Sequence, residues 1–207
     1  MRKNCLLCGV GGQGVVLASK LIAYAALDKG MFVRTTETIG MAQRGGSVVS
    51  HVRMGEEIHS PMIPKGQADV ILAFEPAEAV RSLPYLREGG MLIVNRKAVK
   101  PVTATLGGGQ YDGHEMLDFL KKKVDNLLIM DGEAVCRQAG SAKVLNVALL
   151  GAAAASGALD ISIPDMEVEI KKKVKPQFVE LNQKALALGA AIAGAQRKAD
   201  GTKTEVR

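Results

Sequence analysis

The chain has 207 residues, of which 47% are hydrophobic, 23% charged and 3% aromatic, and it carries a formal net charge of +6. This composition is typical of one folded domain and excludes wholesale disorder and a fibrous repeat. No apolar run approaches the roughly 20 residues of a transmembrane helix, and glycines break the apolar N-terminal stretch too early for a signal peptide, so we expect a cytoplasmic protein with no membrane partner.

Hydrophobic periodicity predicts strands that alternate with helices along the chain. In chain order, strands are expected at 4–10, 31–36, 47–54, 68–74, 91–95 and 126–131, and helices at 13–29, 75–86, 113–123, 143–156, 164–173 and 176–193. This rhythm is typical of an α/β fold in which a mostly parallel, Rossmann-like sheet is flanked by helices.

One predicted strand departs from the parallel pattern. Residues 47–54 alternate at period two, and Gly55-Glu56 favours a turn into a short returning strand near Ile58. We therefore expect an antiparallel β-hairpin inserted into the parallel fold.

The C-terminal stretch differs from the rest of the chain, because it is polar and lacks periodicity. We expect a single domain over 1–193 and a flexible tail over 194–207. Much of the positive charge of the domain lies in two lysine triplets, 121–123 and 171–173, at predicted helix ends, where cations stabilise the helix dipole. Since aromatic residues are scarce and no basic stripe is present, the charge does not indicate a nucleic-acid partner.

The cysteines and histidines do not indicate a metal or redox centre. Cys5 and Cys8 form a C-x-x-C pair, but they lie in a predicted strand, where residues three apart point to opposite faces, so we expect both to be buried and inert. Together with Cys136 they are too few for an iron–sulfur cluster held by four thiolates. The three histidines are scattered along the chain, and we expect no metal site.

The first glycine-rich segment lies between a predicted strand and a predicted helix and reads Gly9-Val10-Gly11-Gly12-Gln13-Gly14. Its spacing matches G-x-G-x-x-G, in which glycines allow a tight turn and the N-terminus of the helix attracts an anion. The candidate cofactor-binding residues are Gly9, Gly11, Gly12, Gln13 and Gly14. Two alternatives stay open: a turn that only lets helix and strand pack closely, and an adenine dinucleotide site, with Arg34 and Glu37 in the window of the ribose-binding carboxylate.

The second glycine-rich segment lies between the second and third predicted strands and carries Gln43-Arg44-Gly45-Gly46. A guanidinium beside backbone donors can hold a phosphate or carboxylate through two hydrogen bonds. Ligands of parallel sheets gather at the carboxyl ends of the strands, where this segment would approach the first glycine turn. The candidate catalytic residues are Arg44 and Glu37, and the further binding residues are Gln43, Gly45 and Gly46. The alternative is a solvated hairpin connection in which Arg44 pairs with Glu37.

Together, the two segments resemble those of the gamma-type subunit, or domain, of the 2-oxoacid:ferredoxin oxidoreductases. The likeness continues through 68–76 and 179–182 and covers about residues 4–193. Residues 43–46 are the most specific part of this resemblance. Residues 41–43 resemble the corresponding residues in the arylpyruvate branch of the family, whose substrates are indolepyruvate and related 2-oxoacids.

The resemblance implies a non-cluster subunit of a heteromeric enzyme. In that family, thiamine diphosphate with Mg²⁺ attacks the 2-oxoacid, carbon dioxide leaves, coenzyme A takes the acyl group, and iron–sulfur clusters pass single electrons to ferredoxin. A large alpha subunit would supply the thiamine diphosphate and the clusters, and this chain alone would bind none of these cofactors. Its glycine turn and Arg44 loop would face the shared active site.

Two further possibilities follow from the residues alone. The first glycine motif also fits a stand-alone Rossmann-type enzyme or sensor that binds NAD(P). The Ala-rich stretch 149–155 allows another helix to approach closely, either in the core or at a subunit interface, so a homodimer stays open.

Overall fold

A six-stranded sheet forms the centre of the protein in the computed structural model, which describes residues 2–40, 45–100 and 111–204. The strand order across the sheet is β2-β3-β1-β4-β5-β6. β1 pairs in parallel with β4, β4 with β5 and β5 with β6, so the predicted α/β class is confirmed. The strands are β1 (Lys3–Val10), β2 (Phe32–Ile39), β3 (Ser47–Gly55), β4 (Ala68–Ala73), β5 (Leu86–Asn95) and β6 (Leu127–Met130).

Seven α-helices accompany these strands in the described parts of the chain. They are α1 (Val15–Asp28), α2 (Pro76–Ser82), α3 (His114–Lys123), α4 (Gly132–Ala139), α5 (Leu145–Ala155), α6 (Ile163–Lys173) and α7 (Val179–Thr204). Short 3-10 turns precede β5, α5 and α7, at Leu83–Tyr85, Ala142–Val144 and Pro176–Phe178.

Several boundaries differ from the predictions. β5 begins at Leu86 and not at 91. Gly89 and Gly90, two glycines expected to form a turn, lie within this strand, because a shift in its register with β4 accommodates them. α4 has no counterpart among the predicted elements, and its signals lie at its ends, where Asp131 caps the first turn and Gly140 ends the last. α7 continues to Thr204, so the expected boundary between domain and tail, at 193/194, lies within a helix.

The antiparallel part of the sheet is built differently from the expected hairpin. β3 pairs antiparallel with β2 on one side and with β1 on the other, so the hairpin is β2–β3 and β3 lies between β1 and β2. The prediction of a returning strand near Ile58 is wrong. Both edges of β3 are hydrogen-bonded to β1 and β2, so no edge is free to pair with another strand. Ile58 is instead a buried residue of a loop.

Two hydrophobic clusters cover the two faces of the sheet, and β1 contributes to both. Cys5 and Leu7 face the cluster that includes α1, α5, α6 and α7, whereas Leu6 and Cys8 face the cluster that includes α2 and α3. Both cysteines are fully buried, as expected from their spacing on a strand. Burial raises the pKa of the Cys8 thiol to about 12 and that of Cys5 further still, which disfavours the reactive thiolate form of both residues.

α5 and α7 meet in a seam that depends on two glycines. Residues 146–154 of α5 are all buried inside this chain, so its small-residue face serves the core. A Cβ added at Gly151 would collide with the carbonyl oxygen of Leu186, and one added at Gly189 would collide with that of Ala148. The two backbones therefore touch, an approach that only glycine permits at these positions.

Candidate functional site

The first glycine turn connects β1 to α1 at the edge of the sheet where the parallel strands end. Its shape is set by Gln13, which lies inside the turn. The Val10 N–H donates to Gln13 Oε1 at 2.9 Å, and Gln13 Nε2 donates to the carbonyl oxygen of Phe74 at 3.1 Å. The side chain of Gln13 therefore ties the end of β1 to the end of β4.

Gly14 begins α1 in a conformation that other residues rarely adopt. It is the N-cap residue, with φ of 81°, and its carbonyl oxygen accepts a hydrogen bond from Asn146 Nδ2 at 3.4 Å. A Cβ at this position would lie 2.8 Å from the same nitrogen. Both the backbone angle and the contact with α5 therefore require glycine.

The second glycine pair lies against the first turn. The Gly11 N–H donates to the carbonyl oxygen of Gly46 at 2.9 Å, and the Gly45 N–H lies 3.4 Å from the carbonyl oxygen of Gly11. At the base of the β2–β3 connection, the Gly40 N–H donates to the carbonyl oxygen of Ser47 at 2.9 Å. Residues 9–14 and 45–46 thus form one surface, which we call the glycine edge. The predicted residues Gln43 and Arg44 lie outside the described residues.

Part of the backbone of the glycine edge is hydrogen-bonded within the chain. The N–H groups of Val10, Gly11 and Gln13 are paired with Gln13 Oε1, the carbonyl oxygen of Gly46 and that of Val10. A phosphate cradle needs such N–H groups to point at the ligand. These three N–H groups are therefore already occupied, and both the close-packing and the anion-binding alternatives for this turn stay predictions.

The surroundings of Glu37 also differ from those of a dinucleotide site. In a Rossmann fold the ribose-binding carboxylate follows the strand next to β1, but here β3 occupies that position and β2 lies at the outer edge of the sheet. Glu37 is half-buried on the α1 side of β2, where its Oε1 lies 3.4 Å from Ser19 Oγ. The structure thus places Glu37 beside the second turn of α1.

Two buried carboxylates at this end of the sheet were not among the predicted residues. Glu75 and Glu78, which are 2% and 3% exposed, lie where β4 leads into α2. Glu75 caps the helix by accepting from the Glu78 N–H at 3.0 Å, and it also accepts from Tyr111 Oη at 2.5 Å. The available signal is their position, since both follow a buried strand directly and Pro76 marks a helix start between them.

Asn95 performs a similar linking role at the end of β5. Its Nδ2 donates to the carbonyl oxygen of Phe74 at 3.2 Å, and its Oδ1 accepts from the Gly132 N–H at 3.2 Å. Beside it is a cavity of about 470 Å³ whose lining includes Lys97 and Glu133, which form an ion pair. Amide side chains therefore hold the ends of β1, β4 and β5 and the start of α4 together.

His51 lies on β3, on the sheet face opposite α1, and its side chain takes part in the packing of the core. It is 3% exposed, its Nδ1 accepts from the Ile63 N–H at 3.2 Å, and its ring packs edge-on against Tyr85. Burial lowers the pKa of His51, which favours the neutral ring that this hydrogen bond requires.

The described residues contain neither a metal centre nor a membrane-spanning helix. Across 2–40, 45–100 and 111–204, no three His, Cys, Asp or Glu side chains lie close enough to hold a metal ion. Among the helices of these same segments, none is both long and apolar enough to cross a lipid bilayer.

The fold and the glycine edge define a Rossmann-like α/β domain with an antiparallel strand inserted beside β1 and two glycine segments in backbone contact at the carboxyl ends of the strands. The family model described as pyruvate ferredoxin/flavodoxin oxidoreductase matches residues 4–192. The chain belongs to this family, and the resemblance to the gamma-type subunits of 2-oxoacid:ferredoxin oxidoreductases is confirmed.

Individual relatives match over nearly the whole chain. Indolepyruvate oxidoreductase subunit IorB of Archaeoglobus fulgidus is 39% identical over 197 residues, which cover 94% of this chain and 98% of that protein. The subunit of the same name from Thermococcus kodakarensis is 37% identical over 195 residues, 92% of this chain and 95% of that protein. The crystal structure of the keto/oxoacid ferredoxin oxidoreductase gamma subunit from Geobacter sulfurreducens superposes with a TM-score of 0.72 at 26% identity, covering 94% of this chain and 98% of that one. The chain is therefore a subunit of a heteromeric oxidoreductase.

Proposed function

We propose that the chain is the non-cluster subunit of an oxidoreductase that decarboxylates indolepyruvate or another arylpyruvate to an acyl-CoA and passes the electrons to ferredoxin. The observation that carries this proposal is the identity of 37% and 39% to two IorB subunits over more than nine-tenths of the chain. Family membership alone supports a 2-oxoacid as the substrate, without specifying its side chain. The similarity to subunits named for indolepyruvate supports a substrate with an aryl side chain.

Thiamine diphosphate is the group that accepts the 2-oxoacid in this type of enzyme, and we assign it to the large partner subunit. Two features of the described residues support this assignment. Three N–H groups of the first glycine turn are already paired within the chain, and no acidic cluster in the described segments could hold Mg²⁺ beside a diphosphate. Cys5 and Cys8 lie on opposite faces of β1, so they cannot share an iron–sulfur cluster either.

The contribution of this chain is the surface that it presents to the shared active site. The glycine edge brings Gly11, Gly45 and Gly46 together, and Arg44 precedes Gly45 in the sequence. In our proposal, Arg44 holds a carboxylate of the substrate or an anionic part of a cofactor through paired N–H···O bonds. Glu37, which lies on the α1 side of the β2–β3 hairpin, is the second catalytic residue in our proposal. Ferredoxin is proposed to contact the cluster-bearing partner rather than this chain.

Co-expression with the large subunit tests the function. We expect the two chains to purify together and to reduce ferredoxin only when a 2-oxoacid and coenzyme A are both present. Indolepyruvate and phenylpyruvate should be used with kcat/KM at least tenfold above those of pyruvate and 2-oxoglutarate. Equal use of pyruvate would contradict the aryl specificity, and elution of this chain alone would contradict the heteromeric function.

The NAD(P) alternative has its own test. Calorimetric titration of the purified chain with NAD, NADH, NADP and NADPH is expected to give no heat of binding, because β3 displaces the strand that would carry the ribose-binding carboxylate. Binding of any of the four in the micromolar range would reinstate a stand-alone nucleotide site.

A further inference from the structure

Two buried carboxylates on the first turn of α2 are not used by the proposed chemistry. Glu75 is the N-cap residue, and Glu78 stands three residues further on. In many helices a glutamate at this position folds back to the N-cap backbone. Here the carboxylate of Glu78 instead contacts Ser47 and Arg81: Ser47 Oγ donates to Glu78 Oε2 at 2.6 Å, and Arg81 pairs with Oε1.

Burial makes the contact with Ser47 the stronger restraint of the two. A carboxylate removed from water needs hydrogen bonds to offset its lost hydration. The side chain of Arg81 is 65% exposed, so water and salt weaken its attraction for Glu78. The O–H···O⁻ bond from Ser47 is short and charge-assisted, a type about twice as strong as a neutral hydrogen bond.

Ser47 links Glu78 directly to the glycine edge. It is the first residue of β3 and follows Gly46, whose carbonyl oxygen accepts from the Gly11 N–H at 2.9 Å. The carbonyl oxygen of Ser47 accepts from the Gly40 N–H and closes the base of the β2–β3 connection. One side chain of α2 therefore holds the point where the second glycine pair meets the sheet.

We propose that Glu78 is a positioning residue for the shared active site: its carboxylate fixes Ser47 and thereby sets Gly45 and Gly46 against Gly11. This role rests on the proposed function, because it matters for catalysis only if the glycine edge faces the substrate or a cofactor. The side-chain contacts of Glu78 are with Ser47 and Arg81, so we assign it a positioning role and no contact with a ligand. Its charge is needed because a neutral acceptor would hold the serine hydroxyl less firmly, and the second glycine pair would then shift relative to the first turn.

Glu169 provides a matched control. It is 1% exposed and pairs with Lys172, three residues further along α6, as Glu78 pairs with Arg81 along α2. Lys172 also pairs with Asp28, the last residue of α1, at the end opposite the glycine turn. Replacement of Glu169 by glutamine therefore removes a buried helical carboxylate without touching the glycine edge.

The test compares Glu78→Gln, Ser47→Ala, Ser47→Thr and Glu169→Gln in the purified two-subunit enzyme. Hydrogen–deuterium exchange followed by mass spectrometry is expected to show at least tenfold faster exchange in segments 9–14 and 45–50 for Glu78→Gln and Ser47→Ala. Ser47→Thr, which keeps the hydroxyl, and Glu169→Gln should leave these segments unchanged. In the same two damaged variants kcat should fall about tenfold, while KM for ferredoxin stays within twofold.

Three outcomes would overturn the positioning role. They are unchanged exchange in both segments for Glu78→Gln, a Ser47→Thr variant as impaired as Ser47→Ala, and a fall in kcat for Glu169→Gln equal to that for Glu78→Gln. The exchange measurement does not depend on turnover. If the wild-type complex fails to oxidise any 2-oxoacid, the proposed function falls, while faster exchange in Glu78→Gln still supports the link from Glu78 to the glycine edge.

Discussion

The seam between α5 and α7 and the glycine edge of the sheet both depend on glycine, but for different physical reasons. In the seam, Gly151 and Gly189 have ordinary helical backbones, and glycine is required because the opposite backbone occupies the space of a Cβ. At the glycine edge, Gly14 and Gly45 have φ of 81° and 77°, angles that favour glycine even in open space. The seam is apolar, whereas the edge is held by hydrogen bonds. Substitutions of the seam glycines should therefore lower stability through collision of the two backbones, and those of the edge glycines through backbone strain. Effects on turnover are expected from Arg44, which precedes Gly45 in the sequence.

The largest expected effect belongs to the seam. Gly189→Ala should lower the free energy of unfolding by about 3 kcal/mol, since the added methyl group collides with the backbone of α5 and forces the helices apart. Urea denaturation of the purified chain measures this change. Gly194→Ala is the control: it lies in the same helix with nothing within 4 Å of its added Cβ, and it should gain up to about 1 kcal/mol from helix propensity. Equal effects of the two substitutions would contradict the close approach of the helices.

An intermediate effect is expected at the start of α1. Gly14→Ala should cost about 2 kcal/mol, in part from the positive φ and in part from the contact with Asn146. Gly30→Ala separates the two contributions, because Gly30 has φ of 76° but open space around its Cβ, so it should cost about 1 kcal/mol. Thermal denaturation compares the two variants, and a Gly14→Ala variant no less stable than Gly30→Ala would show that Asn146 moves aside freely.

Arg44, which precedes Gly45 in the sequence, should affect turnover rather than stability. Arg44→Ala is expected to lower kcat of the two-subunit enzyme at least tenfold while changing the free energy of unfolding by less than about 0.5 kcal/mol, because the proposed role of Arg44 is to hold an anion and not to support the fold. Arg34→Ala is the matched control, because Arg34 is an exposed arginine of β2 whose guanidinium donates to the carbonyl oxygen of Val33. Steady-state kinetics on both variants decides the point, and equal kcat values would remove Arg44 from the active site.

The smallest effect is a pH dependence centred on β3. Burial lowers the pKa of His51, so the unfolded chain takes up a proton near pH 6.5 while the native protein resists it. The resulting loss of stability is absent above that pH and grows as the pH falls below it. Denaturation at pH 7.5 and pH 5.5 should show a smaller loss for His51→Gln than for the wild type. Equal losses would mean that His51 titrates alike in both states.

The sequence allows the alternation of strands and helices and the first glycine turn to be predicted, because these features are local. β1 and β4 are short apolar runs, and the turn follows one of them directly. The position of β3 in the sheet is not determined by its local sequence. Its period-two pattern indicates an antiparallel strand, but its partners are chosen by pairing across the sheet, with Lys3 opposite Met54 and Phe32 opposite Gly55.

The candidate site is only partly visible from the sequence for the same reason. The approach of Gly11 to Gly46 follows from the rule that ligand-side loops gather at the carboxyl ends of strands. The roles of Glu75 and Glu78 do not follow from such a rule. Each depends on a residue far away in the chain, Tyr111 for Glu75 and Ser47 for Glu78. The helix seam is also hidden, because Gly151 and Gly189 look like weak points in two helices until the helices are brought together.

The position of β1 has a consequence for synthesis of the chain. β1 is synthesised before both of its neighbours in the sheet, because β3 is complete only at Gly55 and β4 only at Ala73. Until then an apolar segment that includes Leu6 and Leu7 has no pairing partner on either side. An unpaired apolar strand favours aggregation, so low temperature and chaperone supply during expression should raise the yield of this subunit.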